Sequence, residues 1–190
     1  NLADQNSLHG FVSLVNPETG ALDCVAPREM TNLSSSAGSS ADGVVTDIAG
    51  LGRYVQSLAA GALPSAPEGR FDDLSAADPA GPSWITAGAG VFGVGPLVGQ
   101  YGSTPGYMTA AFADPETGLA VAVVLNNSAN GAAQVQRLAR ELSAIAATAP
   151  GASGQTAPEI GLPFTAQQFS DEIAANAICA APAPEPAAEE

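Results

Sequence analysis

The sequence predicts an α+β fold in which an antiparallel sheet carries helices packed on it. Residues 107–113 and 119–125 are apolar segments of strand length, and a turn sequence at residues 114–118 separates them. Residues 46–61 and 132–149 place their apolar residues three and four positions apart, which is the spacing of one helix face. Strands joined by a short turn pair antiparallel, so the helices are expected to cover the sheet.

The amino-terminal segment predicts a short hairpin. Residues 11–15 form a short, largely apolar run and are predicted as a strand. Residues 16–20 have the composition of a turn, with proline and a final glycine. Residues 21–25 are then predicted as the return strand.

The first helix is predicted over residues 46–61. Thr46 or Asp47 is a suitable amino-terminal cap, and Gly61 is expected to end the helix. Its apolar face consists of Ile48, Leu51, Val55 and Leu58. Residues 62–83 contain several prolines and acids and are predicted to form an irregular surface segment.

Residues 84–149 are predicted to form the structural centre. The run at residues 119–125 is almost continuously apolar, which favours a strand covered on both faces. The helix at residues 132–149 has an apolar stripe formed by Val135, Leu138, Leu142, Ile145 and Ala149. We expect this stripe to pack against Phe112, Val121 and Val123.

The composition changes after residue 149 and suggests the domain limits. Residues 1–149 are predicted to form a single domain, followed by a Gly/Pro/Ser linker at 150–163. Residues 164–179 are predicted to contain a short helix capped by Thr165. Residues 180–190 alternate Ala, Pro and Glu, which is typical of a disordered tail.

The charge composition excludes several classes of function. The chain has 5 basic and 19 acidic residues, for a net charge of −14, and every basic residue is an arginine. Without lysine there is no Schiff-base, P-loop or Ser-Lys chemistry within the chain. Nucleic acid and anionic membrane surfaces are not expected partners, because both require clustered basic side chains. No run reaches the roughly 18 apolar residues of a membrane span.

Few residues mark a catalytic or metal site. His9 is the only histidine, and no G-x-S-x-G element accompanies it, so we interpret it as a surface or capping residue. Scattered acids and one histidine predict neither a metal centre nor a bound cofactor. Cys24 and Cys179 lack CxxC spacing, which leaves one long-range disulfide or two buried thiols.

Two stretches together resemble a known family. Residues 99–107, followed by an Ala-Phe-Ala strand, a turn and an apolar strand that ends in residues 125–128, are similar to the carboxy-terminal part of the penicillin-recognising serine hydrolases. This family comprises class C β-lactamases, DD-carboxypeptidases and related esterases. Residues 36–38 and 46–61 resemble the family's helix entry, and the resemblance extends over about residues 5–148.

The resemblance implies a β-lactamase/transpeptidase-like fold and a reaction through an acyl-enzyme. The family's Ser-x-x-Lys and Tyr-x-Asn elements do not occur in this chain, so the nucleophile is expected outside it. The family's Lys-Thr-Gly or His-x-Gly element aligns with Gln100, Tyr101 and Gly102, which implies a substrate-binding role. The backbone N–H of Ser103 falls where the family places an oxyanion-hole donor.

The resemblance also implies partners and a location. The expected partner is the amino-terminal half of the same fold, in cis or as a separate chain, because the strand at 119–125 otherwise has an unpaired apolar edge. The chain begins without a signal peptide or initiating methionine, so further sequence is expected upstream. The substrate would be a peptide, a β-lactam or an ester. A secreted or cell-envelope location is implied, and this favours the disulfide.

Two other interpretations remain open from the sequence. The first is a non-catalytic binding or scaffold module of the cell envelope with the same architecture. The second is an unrelated acidic α+β domain whose glycine-rich stretch at residues 99–107 resembles the family by coincidence. A labelled β-lactam or fluorophosphonate would separate the enzyme from the scaffold module.

Overall fold

The computed structural model describes residues 7–34, 44–63, 67–150 and 159–179. The elements in chain order are β1 Phe11–Val12, β2 Arg28–Glu29, α1 Ile48–Ala59, β3 Ser75–Ala76, β4 Ile85–Gly88, β5 Val91–Val94, β6 Leu97–Thr104, β7 Tyr107–Ala113, β8 Ala120–Leu125, α2 Ala132–Ala147 and α3 Ala166–Ala175.

The main sheet is antiparallel and has six strands, whose order across the sheet follows the chain from β3 to β8. The strands β1 and β2 form a separate two-stranded sheet. The predicted α+β class, an antiparallel sheet with helices packed on it, is therefore confirmed. Among the described residues, no helix has the length and apolar character needed to cross a membrane.

The strand β7 shows how both faces of the sheet are covered. Successive side chains of a strand point to opposite faces. Phe112 belongs to a core that contains Val135 of α2. Ala111 belongs to a second core that contains Val55 of α1. The two helices therefore cover opposite faces, as the apolar run in β8 predicts.

The helix α1 begins and ends where the sequence predicts. The side chain of Asp47 accepts a hydrogen bond from the backbone N–H of Gly50, so Asp47 is the cap. Gly61 follows the helix with a φ of +65°, a conformation that favours glycine. Val55 and Leu58 are buried, whereas Ile48 at the first turn is exposed.

The helix α2 does not bury the face that its apolar stripe predicts. Val135 is fully buried, but Leu142 and Ile145 are 38% and 51% exposed. The helix contacts the core through Val135 and Ala139, and Ser143 is also buried. Small residues allow a helix to approach a sheet closely, so the longer side chains are displaced to the flank. The predicted packing of Leu142 and Ile145 against the sheet is wrong.

The amino-terminal hairpin is shorter than predicted. The turn at residues 16–20 is confirmed, since the N–H of Gly20 donates to the C=O of Asn16 at 2.8 Å. The predicted return strand at 21–25 is reduced to a single bridge between Val15 and Leu22. The side chain of Asp23 accepts hydrogen bonds from two following backbone N–H groups, which turns the chain out of the strand.

The helix α3 is fixed at both ends. Thr165 caps it by accepting a hydrogen bond from Gln168, as predicted, and Phe169 is 1% exposed in the core. Beyond the helix, Cys179 forms a disulfide with Cys24, 155 residues earlier, which confirms the bridge. Residues 36–38 of the family resemblance, most of the predicted linker and the tail at 180–190 lie outside the described residues.

Candidate functional site

The candidate site lies on the strand β6, which is continuous from Leu97 to Thr104. Within the glycine-rich stretch at residues 99–107, the chain turns only at Pro105 and Gly106, between β6 and β7. Gly106 has a φ of +98°, which favours glycine in such a turn. Gly102 lies within the strand, beside open space.

The outer edge of β6 becomes free after Gly99. The strand β5 pairs with β6 only as far as Gly99, opposite Phe92. On the other side, β7 pairs with the whole of β6 from Val98 to Thr104. No described strand therefore pairs with the second half of β6 on the side of β5.

The ladder places the backbone of Ser103 at this free edge. Thr104 and Tyr107 flank a two-residue turn and so form a hydrogen-bonded pair. Backbone groups of alternate residues point to opposite neighbours. Gly102 therefore faces β7, whereas Tyr101 and Ser103 direct their N–H and C=O groups away from it. Ser103 itself is exposed.

The side chain of Gln100 is engaged by the backbone. Its Oε1 accepts a hydrogen bond from the N–H of Tyr101 at 2.9 Å. Its Nε2 donates to the C=O of Gly90 at 3.2 Å. We call this arrangement of Tyr101, Gln100 and Gly90 the Gln100 bridge. The Gln100 bridge gives the Tyr101 N–H a hydrogen-bond acceptor beyond the end of β5, where the chain turns between β4 and β5.

The turn between β4 and β5 holds one end of the Gln100 bridge. Ala89 and Gly90 both have positive φ angles, as the two central residues of a tight hairpin turn require. Arg70 donates to the C=O of Ala89 through Nη2 at 2.8 Å and through Nε at 3.3 Å. No sequence motif marks Arg70, because its partner is 19 residues away and is defined only by the fold.

The ring of Tyr101 is partly buried and packs against the core that includes residues of α2 and α3. The ring centre lies 4.9 Å from that of Phe92. The structure therefore brings the backbone of Tyr101 to the edge beside Gln100, while its ring packs with the core. Of the predicted site residues, Gln100, Gly102 and Ser103 are exposed, and the side chains of Gln100 and Ser103 lie on opposite faces of the sheet.

The amino-terminal segment supports the turn next to Ser103. The hydroxyl of Tyr107 donates to the C=O of Leu8 at 2.8 Å. The N–H of Gly106 donates to the hydroxyl of Ser128 at 3.0 Å. Phe11 bridges to Asn127 just beyond β8, which places residues 8–11 at this end of the sheet.

His9 is paired with Glu29 of β2. Its Nδ1 lies 2.6 Å from Oε1 of Glu29, which also accepts a hydrogen bond from Thr31. The hydrogen bonds from Thr31 and His9 hold the pKa of the Glu29 carboxyl below its usual range. An open cavity of about 240 Å³ lies in this region, lined by Arg28, Glu29, Met30, Thr31, Asn32 and Leu33. None of these residues belongs to β6.

The described part of the chain contains no group of three or more His, Cys, Asp or Glu side chains that could hold a metal ion. Comparison with known proteins gives no match to a protein-family model, to a curated protein or to a solved structure. The assignment of a function therefore depends on the motifs of residues 99–107 and on the geometry of β6.

Proposed function

We propose that this chain is the carboxy-terminal part of an exported serine acyl hydrolase of the β-lactamase, D-Ala-D-Ala carboxypeptidase or esterase type. The reaction passes through an acyl-enzyme, and its nucleophile lies outside this chain. The observation that carries the proposal is the direction of the Ser103 N–H, which faces the free edge of β6. An amide fixed by a sheet is a suitable donor to a developing oxyanion.

The edge of β8 supports the amino-terminal half of the same fold as the partner. β7 pairs with all of β8 on one side, and no described strand pairs with Ala120–Leu125 on the other. The strand contains neither a charged residue nor a proline, which are common protections of an exposed edge. A strand supplied in cis or by a separate chain would complete the sheet.

The exposed flank of α2 supports the same partner. α3 packs along one flank of α2, where Arg140 contacts the Phe169 ring. Leu142 lies about 160° from Arg140 around the helix axis, because successive residues differ by 100°. The exposed Leu142 and Ile145 therefore lie on the flank away from α3, where a further helix or strand of the partner would bury them.

The disulfide supports a secreted or cell-envelope location. Cys24 and Cys179 are both exposed and bonded to each other. Exposed disulfides persist mainly in oxidising compartments. The substrates proposed from the family, peptides, β-lactams and esters, are compatible with such a location.

Reconstitution tests the proposal. The isolated chain is assayed with nitrocefin, a D-Ala-D-Ala peptide and a p-nitrophenyl ester, and then again with the upstream polypeptide joined in cis or added in trans. We expect hydrolysis above background only in the second case, with fluorophosphonate labelling on the upstream part. Titratable turnover by the isolated chain would contradict the proposal, as would inactivity of the joined protein.

The second candidate is a non-catalytic binding or scaffold module with the same architecture. The observation in its favour is that the Gln100 amide is hydrogen-bonded to the backbone of Gly90 and of Tyr101. The amide is also uncharged, so it offers no positive charge to bind a substrate carboxylate. The joined protein separates the two candidates, because a scaffold module would bind its partner without being labelled by the fluorophosphonate.

A further inference from the structure

We infer that Gln100 is a specificity-determining residue, because its side chain occupies the position at which an extended peptide would pair with β6. The substrate of this edge would then be a small acyl compound, such as an ester, that needs one backbone donor. The inference rests on the proposed function for the identity of the site. The hydrogen bonds by which Gln100 occupies the edge of β6 are observed among the described residues and do not depend on that function.

The register shows what the Gln100 amide replaces. Leu97 faces Val94 and Gly99 faces Phe92, so the next hydrogen-bonded pair along the ladder would be Tyr101 and Gly90. That pair does not form directly. The Gln100 amide lies between its two members, accepting from the Tyr101 N–H and donating to the Gly90 C=O. A side-chain amide therefore takes the place of a peptide group.

The Gln100 bridge limits what the edge offers to a ligand. A peptide that adds a strand exchanges hydrogen bonds with successive outward-facing residues, which here are Tyr101 and Ser103. The Tyr101 N–H is already bonded to Gln100. Ser103 is left as the free outward-facing donor, so the edge suits a ligand with a single carbonyl more than an extended backbone.

The acceptor of the bridge is held in position by its own contacts. Gly90 has a φ of +78° within the turn between β4 and β5, and Arg70 donates two hydrogen bonds to the adjacent Ala89 C=O. The Gly90 C=O therefore has a fixed direction. A ligand that displaced Gln100 would have to break both hydrogen bonds of the bridge.

Amide exchange and peptide titration test the inference on the whole chain. Gln100→Leu removes both hydrogen bonds at nearly constant volume. Gln56→Leu is the matched control, since Gln56 donates to the C=O of Gly118 elsewhere on the surface. The probe is a tetra-alanine peptide blocked at both ends, followed by the amide resonances of residues 101–104.

In the unchanged chain and in the Gln56→Leu control, we expect the Tyr101 amide to exchange at least about tenfold more slowly than the Ser103 amide. Neither protein should show peptide-induced shifts in β6. In Gln100→Leu, the two amides should exchange at similar rates, and the peptide should shift residues 101–104.

Three results would overturn the inference. One is equal exchange of the Tyr101 and Ser103 amides in the unchanged chain. Another is binding of the peptide to β6 of the unchanged chain. The third is an absence of peptide shifts in Gln100→Leu, because the Gln100 bridge would then not be what excludes a strand. No measurement here requires hydrolysis, so failure of the inference is distinguishable from failure of the proposed function.

Discussion

The guanidinium carbon of Arg140 lies 5.3 Å from the centre of the Phe169 ring and 5.5 Å from the centre of the Trp84 ring. Trp84 directly precedes β4. Arg140 is only 8% exposed, and its Nε has no hydrogen-bond partner among the described residues. Desolvation holds the pKa of Arg140 below its usual range. This buried cation joins α2 to α3 through aromatic contacts.

Replacement of Arg140 by methionine should not destabilise the protein. Arg140→Met keeps most of the volume and removes a buried charge whose ion pairing is weak, because the nearby Glu172 carboxylate pairs directly with Arg137. The free energy of unfolding should therefore stay within about 1 kcal/mol or rise. Chemical denaturation measures it. Phe169→Ala is the comparison and should cost about 3–5 kcal/mol, because the ring is fully buried. A larger loss for Arg140→Met than for Phe169→Ala would contradict this account.

The face of α2 that contacts the sheet can be tested with two substitutions. Leu142→Ala should cost less than about 1 kcal/mol, because the side chain is half-exposed. Ala139→Leu should cost about 1–3 kcal/mol or more, because Ala139 has no exposed surface and the core is closely packed. Thermal unfolding of both variants shows which substitution costs more stability. A larger loss for Leu142→Ala than for Ala139→Leu would support the packing that the apolar stripe predicts.

The disulfide should contribute to stability mainly through the unfolded chain. Joining Cys24 and Cys179 closes a loop with a sequence separation of 155 residues, and the entropic gain is at most about 4–5 kcal/mol. The variant with both cysteines changed to serine should therefore unfold at a lower denaturant concentration. Mass spectrometry without reductant should find no free thiol in the native chain. Two free thiols would exclude the bridge in solution.

The backbone of Ser103 should matter more than its side chain. In the hydrolytically active joined protein, Ser103→Ala should leave the rate within about tenfold, because the donor is an amide. Ser103→Pro removes the N–H and should lower kcat by roughly 10²–10³. Steady-state kinetics on a p-nitrophenyl ester measure both.

Gly102→Pro controls for damage to the sheet. The N–H of Gly102 faces Thr109 of β7 in the ladder, whereas that of Ser103 faces the free edge. Proline at 102 should therefore lower the free energy of unfolding by about 1–3 kcal/mol more than proline at 103, since it leaves a ladder carbonyl unpaired. Equal destabilisation by the two prolines would mean that the Ser103 N–H is not free.

The carboxyl of Glu29 should titrate below its usual pKa of 4.5. Its hydrogen bonds with Thr31 and His9 favour the charged form, and the bond from Thr31 has the larger effect. Because the folded-state pKa is lowered, any stabilisation is present above about pH 4.5 and is lost as the pH falls through the folded value. Carbon-detected NMR titration should show Thr31→Val moving the pKa upward. An unchanged pKa in this variant would exclude the Thr31 contact.

Local chemistry made much of the fold predictable. The strand at residues 107–113, the turn at 114–118 and the caps Asp47 and Thr165 are where the sequence predicts them. Each depends on residues within a few positions, through side-chain period or through hydrogen bonds between near neighbours. Covering of β8 on both faces was predictable for the same reason, because an uninterrupted apolar run requires it.

The candidate site was predictable only in part. The motif at residues 99–107 pointed to β6, but the direction of the Ser103 N–H depends on the register with β7 and on where β5 ends. The role of the Gln100 side chain depends on Gly90, ten residues away across a turn. Sequence spacing alone does not define such a distance.

The sequence by itself determined the helices, the central strands and the α+β class, because these follow from periodicity and turn chemistry along the chain. Only the tertiary structure decided that α2 buries Ala139 in place of Leu142, and that β1 pairs with β2 while residues 21–25 turn away. It also decided that Gln100 completes the ladder beside Tyr101. The physical reason is that each of these outcomes is a competition between distant partners for one surface or one hydrogen bond, and that competition is settled only when the elements pack.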